Sequence, residues 1–164
     1  MSVIKIIVAD DHTLFREGLI NVLGLYKDII VVGEADNGLK LIQKVQEQLP
    51  DVVLLDICMP VMDGKESMSR LQAAFPDLKF IVISMNSREE DIAELMELGC
   101  HAYLSKNTSV AVVANTIRKV TTDGDSFSDE QYRILHKVLT RKDPVALLFS
   151  KTELLVIKGI CKEQ

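Results

Sequence analysis

Four short apolar runs in this sequence each hand over to a residue that carries charge or bonds to oxygen. VIKIIVA leads into Asp10 and Asp11, DVVLL into Asp56, KFIVI into Ser84, and HAYL into Ser105 and Lys106. Taken singly each has an ordinary explanation: Asp10 or Asp11 as a helix N-cap, Ser84 as a turn residue, Lys106 as a solvated charge. Together they are three carboxylates, a hydroxyl and an ammonium delivered by separate segments to one place. Two carboxylates about 5 Å apart repel by roughly 3 kcal/mol at an effective dielectric of about 20, so a cluster of three requires a cation among them. Hard oxygen donors, with no histidine or cysteine counted among the ligands, favour Mg²⁺ over a transition metal. A carboxylate beside a metal and an ammonium suits phosphoryl transfer onto the carboxylate itself.

The runs place those residues together only if they are strands of one sheet. Segments 3–9, 29–35, 51–56, 79–84 and 101–105 are short and rich in Val and Ile, and segments with helical spacing lie between them at 14–26, 39–48, 66–75 and 91–98. A further helical segment follows at 110–120, and Gly38, Pro50-Asp51, Gly64, Pro76-Asp77 and Gly99 punctuate the alternation. Five such pairs imply a doubly wound α/β fold, (βα)₅, with a parallel sheet covered on both faces. Ligands of such sheets bind at the carboxyl ends of the strands, where the acids, Ser84 and Lys106 fall. Asp56 then ends a buried strand so that a rigid element holds its carboxylate, with Pro60 and Gly64 shaping the loop that follows.

Past Gly124 the strand signals stop. Residues 125–144 read as a helix with Ser128 as N-cap and Glu130 and Gln131 in its first turn, broken at Asp143-Pro144. A second helix restarts at 149, where Ser150 and Glu153 have the spacing of a capping box. The chain therefore divides into a domain over 1–124, a helical linker over 125–148 and the opening of another unit over 149–164.

The 164 residues, 48 % hydrophobic and 26 % charged, suffice for one cored domain with an extension. No apolar stretch approaches the ~20 residues of a membrane span, so no membrane partner is expected. MSVIKIIVADD has no basic-then-apolar leader, and Cys58, Cys100 and Cys161 lack CxxC spacing. A reducing, cytoplasmic location is the expectation. The net charge is −5: residues 1–124 carry 18 acids against 12 bases, while 125–164 carry six acids against seven bases. The first part would repel nucleic-acid phosphate. Cys58 and Cys100 read as small packing residues, His12 and His101 as isolated, and Arg141-Lys142 as a solvated helix end.

VADDH (8–12), LLDICMPVMDG (54–64), VISM (82–85) and AYLSK (102–106) resemble the receiver domain of bacterial two-component response regulators, over residues 3–122. The resemblance implies a flavodoxin-like strand order 2-1-3-4-5. It also implies that Asp56 accepts a phosphoryl group from a sensor histidine kinase. Asp10, Asp11, Asp56 and the backbone carbonyl of Cys58 would hold Mg²⁺, and Ser84 and Lys106 would receive the phosphoryl oxygens. Tyr103 would turn inward on activation from a more exposed rotamer. Phosphorylation is then expected to alter the helix at 88–98, the fifth strand and the helix at 109–122, where a homodimer can form. Such a domain signals: it takes a phosphoryl group and loses it slowly, without steady turnover. Asn107 departs from the family, which often has proline after the lysine.

FSKTELLVIKGIC (149–161) resembles the first helix of the LuxR/NarL-type helix-turn-helix domain, with Phe149, Ser150 and Glu153 at matching positions. The recognition helix does not follow, so a truncated output domain is expected, with DNA binding belonging to its missing part. The competing chemistry is that of haloacid-dehalogenase-type phosphatases, which also use a strand-end aspartate. They need a second aspartate two residues on, where this chain has Cys58. An FMN carrier would need a Ser/Thr/Gly-rich loop where Asp10-Asp11 stand, and no GxGxxG follows the first strand to bind a dinucleotide.

Overall fold

The computed structural model describes residues 2–85 and 88–142. The five apolar runs form strands β1 (Ile4–Ala9), β2 (Ile29–Ala35), β3 (Val52–Leu55), β4 (Lys79–Ser84) and β5 (Ala102–Ser105). They alternate with helices α1 (Thr13–Leu23), α2 (Gly38–Gln48), α3 (Gly64–Ala74), α4 (Glu89–Leu98) and α5 (Val110–Asp123). All pairings are parallel, in the order β2-β1-β3-β4-β5. This is the flavodoxin-like arrangement.

Period-two alternation sorts the strand residues between two faces. Ile6, Val8, Leu54, Ile81 and Ile83 pack with Leu19 and Leu23 of α1 and Val113, Ile117 and Val120 of α5. Ile7, Val53, Leu55 and Val82 face the other way, onto Leu41 of α2, Met68 and Leu71 of α3, and Leu95 and Met96 of α4. Both faces are therefore dry, and the register aligns the strand ends: Ala9 pairs with Leu55, Leu55 with Val82, and Ser84 with Ser105. That alignment puts the residues after each strand on one rim.

A sixth helix, α6, runs Asp129–Lys142. Ser128 caps it as its sequence indicates: Ser128 Oγ accepts from the Gln131 amide at 3.2 Å, and Gln131 Oε1 accepts from the Ser128 amide at 2.9 Å. The expected break at Asp143-Pro144, the capping box of Ser150 and Glu153, and the helix-turn-helix opening at 149–164 lie outside the described residues. Among the described residues no helix is long and apolar enough to cross a membrane.

Candidate functional site: an acidic cluster closed by Lys106

Asp10 continues β1 by one residue, its amide bonded to the Ala35 carbonyl at 3.0 Å, and Asp56 continues β3, its amide bonded to the Ala9 carbonyl at 2.8 Å. Two adjacent strands thus deliver two carboxylates to the same spot, and both are buried, with 2 % and 3 % of their surface exposed. The charge between them comes from β5. The Lys106 amide bonds to the Ser84 carbonyl at 3.0 Å. Its Nζ lies 2.7 Å from both Asp10 Oδ2 and Asp56 Oδ2. The ring of Phe15 stands 4.9 Å from the ammonium, a cation–π contact that replaces lost water.

Burial pushes the Asp56 carboxyl above its ordinary range, reinforced by the negative charge of Asp10, and the Lys106 hydrogen bond only partly offsets this. Burial alone would lower the Lys106 ammonium, but its bonds to Asp10 and Asp56 outweigh that and hold it raised. Lys106 therefore stays cationic at neutral pH. Asp11 sits at the edge of the same cluster, and its Oδ1 is buried without a hydrogen bond.

Three residues, His12, Cys58 and Tyr103, read differently in three dimensions. His12, taken from sequence as isolated, belongs to the cluster: its Nδ1 lies 3.2 Å from Asp10 Oδ1, 3.1 Å from Asp11 Oδ1 and 3.8 Å from Asp56 Oδ2. Its own amide donates to Asp10 Oδ1 at 2.8 Å, and that turn folds the ring back over the acids. One ligand atom from each of Asp10, Asp11, His12 and Asp56 falls within 4.8 Å of the others. The adjacency of His12 to two acids was the available signal. Cys58 is exposed rather than a packing residue, while Cys100 is buried as expected. The Cys58 amide donates to Asp56 Oδ1 at 3.2 Å, and this holds the loop backbone against the carboxylate and leaves the thiol outside.

Ser84 is buried beside the cluster, paired with Ser105 of β5 two residues beyond Tyr103. Tyr103 is 4 % exposed, so it already lies inward, not in the exposed rotamer expected from sequence. The reason is packing: Tyr103 shares a core cluster with α4 and with Leu135 and Val138 of α6. His101 is likewise structural, its buried Nδ1 accepting from the Phe80 amide at 3.1 Å. The Lys106–Asn107 peptide is trans.

The loop after β3 closes the site from below. Gly64 donates to the Ile57 carbonyl at 2.9 Å, and Asp63 caps α3 by accepting from the Glu66 amide at 2.8 Å. A Cβ on Gly64 would collide with the Asp56 carbonyl oxygen, and one on Gly38 with the Ser67 hydroxyl and Met62.

The chemistry of the donor set suits Mg²⁺. Three carboxylates offer the hard ligands that ion takes, and Asp11 Oδ1 is buried without a hydrogen bond, with the His12 ring nitrogen 3.1 Å away. The fit is good.

Comparison with known proteins shows the family and the fold. Residues 6–118 match the response regulator receiver domain family. The response regulator protein VraR of Staphylococcus epidermidis is 30 % identical over 172 residues, spanning 98 % of this chain and 79 % of that protein. The transcriptional regulatory protein YhcZ of Bacillus subtilis is 38 % identical over 112 residues, spanning 68 % of this chain and 52 % of that one. A solved DNA-binding response regulator of the LuxR family from Staphylococcus aureus superposes with a TM-score of 0.70 at 28 % identity, covering 73 % of this chain and 100 % of that one.

Proposed function

The chain belongs to the response regulator receiver domain family, its relatives being of LuxR/NarL type, and on that premise we propose that Asp56 accepts a phosphoryl group from a sensor histidine kinase. The domain signals in a phosphorelay; it is not a classical enzyme. The observation that carries the reading is the buried Asp56 carboxylate held 2.7 Å from the Lys106 ammonium, with Asp10 sharing the same cation.

In the transfer a carboxylate oxygen of Asp56 bonds to phosphorus as the phosphorus–nitrogen bond of a phosphohistidine breaks. The departing imidazole keeps the electron pair and takes up a proton, and Asp56 becomes an acyl phosphate. Lys106 pairs with the phosphoryl oxygens and the Ser84 hydroxyl donates to one of them. Asp10, Asp11, Asp56 and the Cys58 carbonyl would hold Mg²⁺, and the ion would supply charge neutralisation for the added phosphoryl group. The rim tolerates about two added negative charges only because these cations face it. With Ser84 drawn to the phosphoryl oxygens, Tyr103 and α4 settle in one of two packings, a population shift between states.

Residues 1–124 form the receiver, 125–148 link it to an output domain that begins at 149, and transcriptional control in the cytoplasm is the result. DNA contact belongs to that output domain, and homodimerisation follows phosphorylation. The test is labelling with acetyl phosphate in Mg²⁺. Asp56 alone should form a hydroxylamine-labile adduct, and Asp11→Ala should lose Mg²⁺ in a titration. A stable phosphate on Ser84, or undiminished labelling of Asp56→Asn, would overturn the reading.

A further inference from the structure

Helix α6 is more than a spacer, because it is bound to the receiver at several points. Leu135 and Val138 are buried in the same core cluster as Tyr103. Lys137 Nζ pairs with Glu89 Oε2 of α4 at 2.6 Å, and the Ser126 amide donates to the His101 carbonyl at 2.7 Å. Gln131 has a double part. Its Oε1 closes the α6 cap on the Ser128 amide at 2.9 Å, while its Nε2 donates to the Tyr103 carbonyl at 2.8 Å.

These contacts join into one path. Ser84, at the phosphoryl-accepting rim, pairs with Ser105 of β5, and Tyr103 lies two residues earlier on the same face of that strand. The Tyr103 backbone bonds Gln131, and Gln131 caps α6. β5 is the edge strand of the sheet, so the outward route for Tyr103 lies on the side that α4 and α6 cover. An outward Tyr103 would have to leave the cluster that Leu135 and Val138 complete.

We infer that docking of α6 and phosphorylation of Asp56 are positively coupled: α6 is a strap that holds Tyr103 inward, and a phosphoryl group that engages Ser84 tightens the strap. Coupling is reciprocal, so whatever strengthens α6 docking must strengthen retention of the phosphoryl group. The phosphorylated receiver then fixes the direction in which the chain leaves residue 142. It also keeps the α4–β5 face occupied by its own helix, which directs any second copy to another face. This rests on Asp56 being the acceptor, and the experiment separates the two claims.

The probe is beryllofluoride with Mg²⁺, added to the whole chain. Amide hydrogen exchange over 129–142 should slow by about fivefold or more on binding, the lower end of ordinary coupling. Gln131→Ala and Lys137→Glu, both away from the acidic cluster, should each weaken beryllofluoride by roughly three- to tenfold in calorimetric titration, the scale of one lost contact. Leu135→Ala should do the same if it folds, and the other two variants keep the test intact if it does not. Unchanged or faster exchange in α6 would overturn the coupling. So would variants that melt lower yet bind beryllofluoride with wild-type affinity. Equal binding by Asp56→Ala would instead remove the acceptor reading, and the coupling with it, without reference to α6.

Discussion

Gly64 lies so close to Asp56 that a single methyl group on its Cα would strike the Asp56 carbonyl oxygen. The contact joins the start of α3 to the end of β3, so the loop that orients the Asp56 carboxylate has no slack. Gly64→Ala is expected to destabilise the fold by about 2 kcal/mol, as overpacking does, and to slow labelling of Asp56. Urea unfolding together with acetyl phosphate labelling checks both, and a variant with wild-type stability and rate would show that the loop can yield.

Asp56→Asn should stabilise the protein while abolishing its labelling. Burial raises the folded-state carboxyl above its unfolded value, so the charged form is disfavoured in the fold. That penalty is absent below the unfolded value near pH 3.9, grows as pH rises through the raised one, and is full above it. The amide removes it, and Lys106 keeps Asp10 as partner. At neutral pH the variant should gain about 1 kcal/mol, and the gain should shrink toward zero as unfolding is measured at pH values below about 4. A loss of stability at pH 7 would mean that Lys106 needs both carboxylates.

His12 adds a nitrogen donor to an otherwise oxygen-rich site, and imidazole discriminates in favour of transition metals. His12→Ala should therefore lower Mn²⁺ affinity by roughly tenfold, about 1.4 kcal/mol, and leave Mg²⁺ nearly unchanged. Parallel calorimetric titrations with the two ions decide it. Equal losses for both would place the ring outside the ligand set.

Val61 is an exposed, β-branched residue at φ 70° in the loop after β3. The left-handed region costs a residue with a Cβ about 1–2 kcal/mol, and Asn tolerates it better. Val61→Asn is expected to raise stability by about 1 kcal/mol, read from the midpoint of thermal unfolding. An unchanged midpoint would show that the loop relaxes without strain.

At the far end of the sheet the Arg118 guanidinium grips Asp28 at 2.6 and 3.0 Å and lies over the Tyr26 ring. The Arg118 hydrogen bond lowers the Asp28 carboxyl from its ordinary range. A depressed carboxyl stabilises the fold above its unfolded value, and that contribution disappears as pH falls through the folded one. Asp28→Asn should thus be less stable than wild type at pH 6, and the two should converge in acid. A gap independent of pH would assign the effect to shape instead of charge.

The strands, the helices and the row of acids at the strand ends were legible in the sequence because each depends on neighbours a few residues away. Alternation in VIKIIVA and helical spacing in 39–48 report which side is buried, and Ser128 and Gln131 cap α6 through a three-residue spacing. Conformation of that kind is local, so a linear pattern encodes it. His12 folding over the acids, Cys58 turning outward and Tyr103 lying inward under α6 were decided by the tertiary structure. Each of these depends on which distant surfaces compete for the same space. A side chain's neighbours across a parallel sheet, or beneath a docked helix, exist only after the chain has closed on itself.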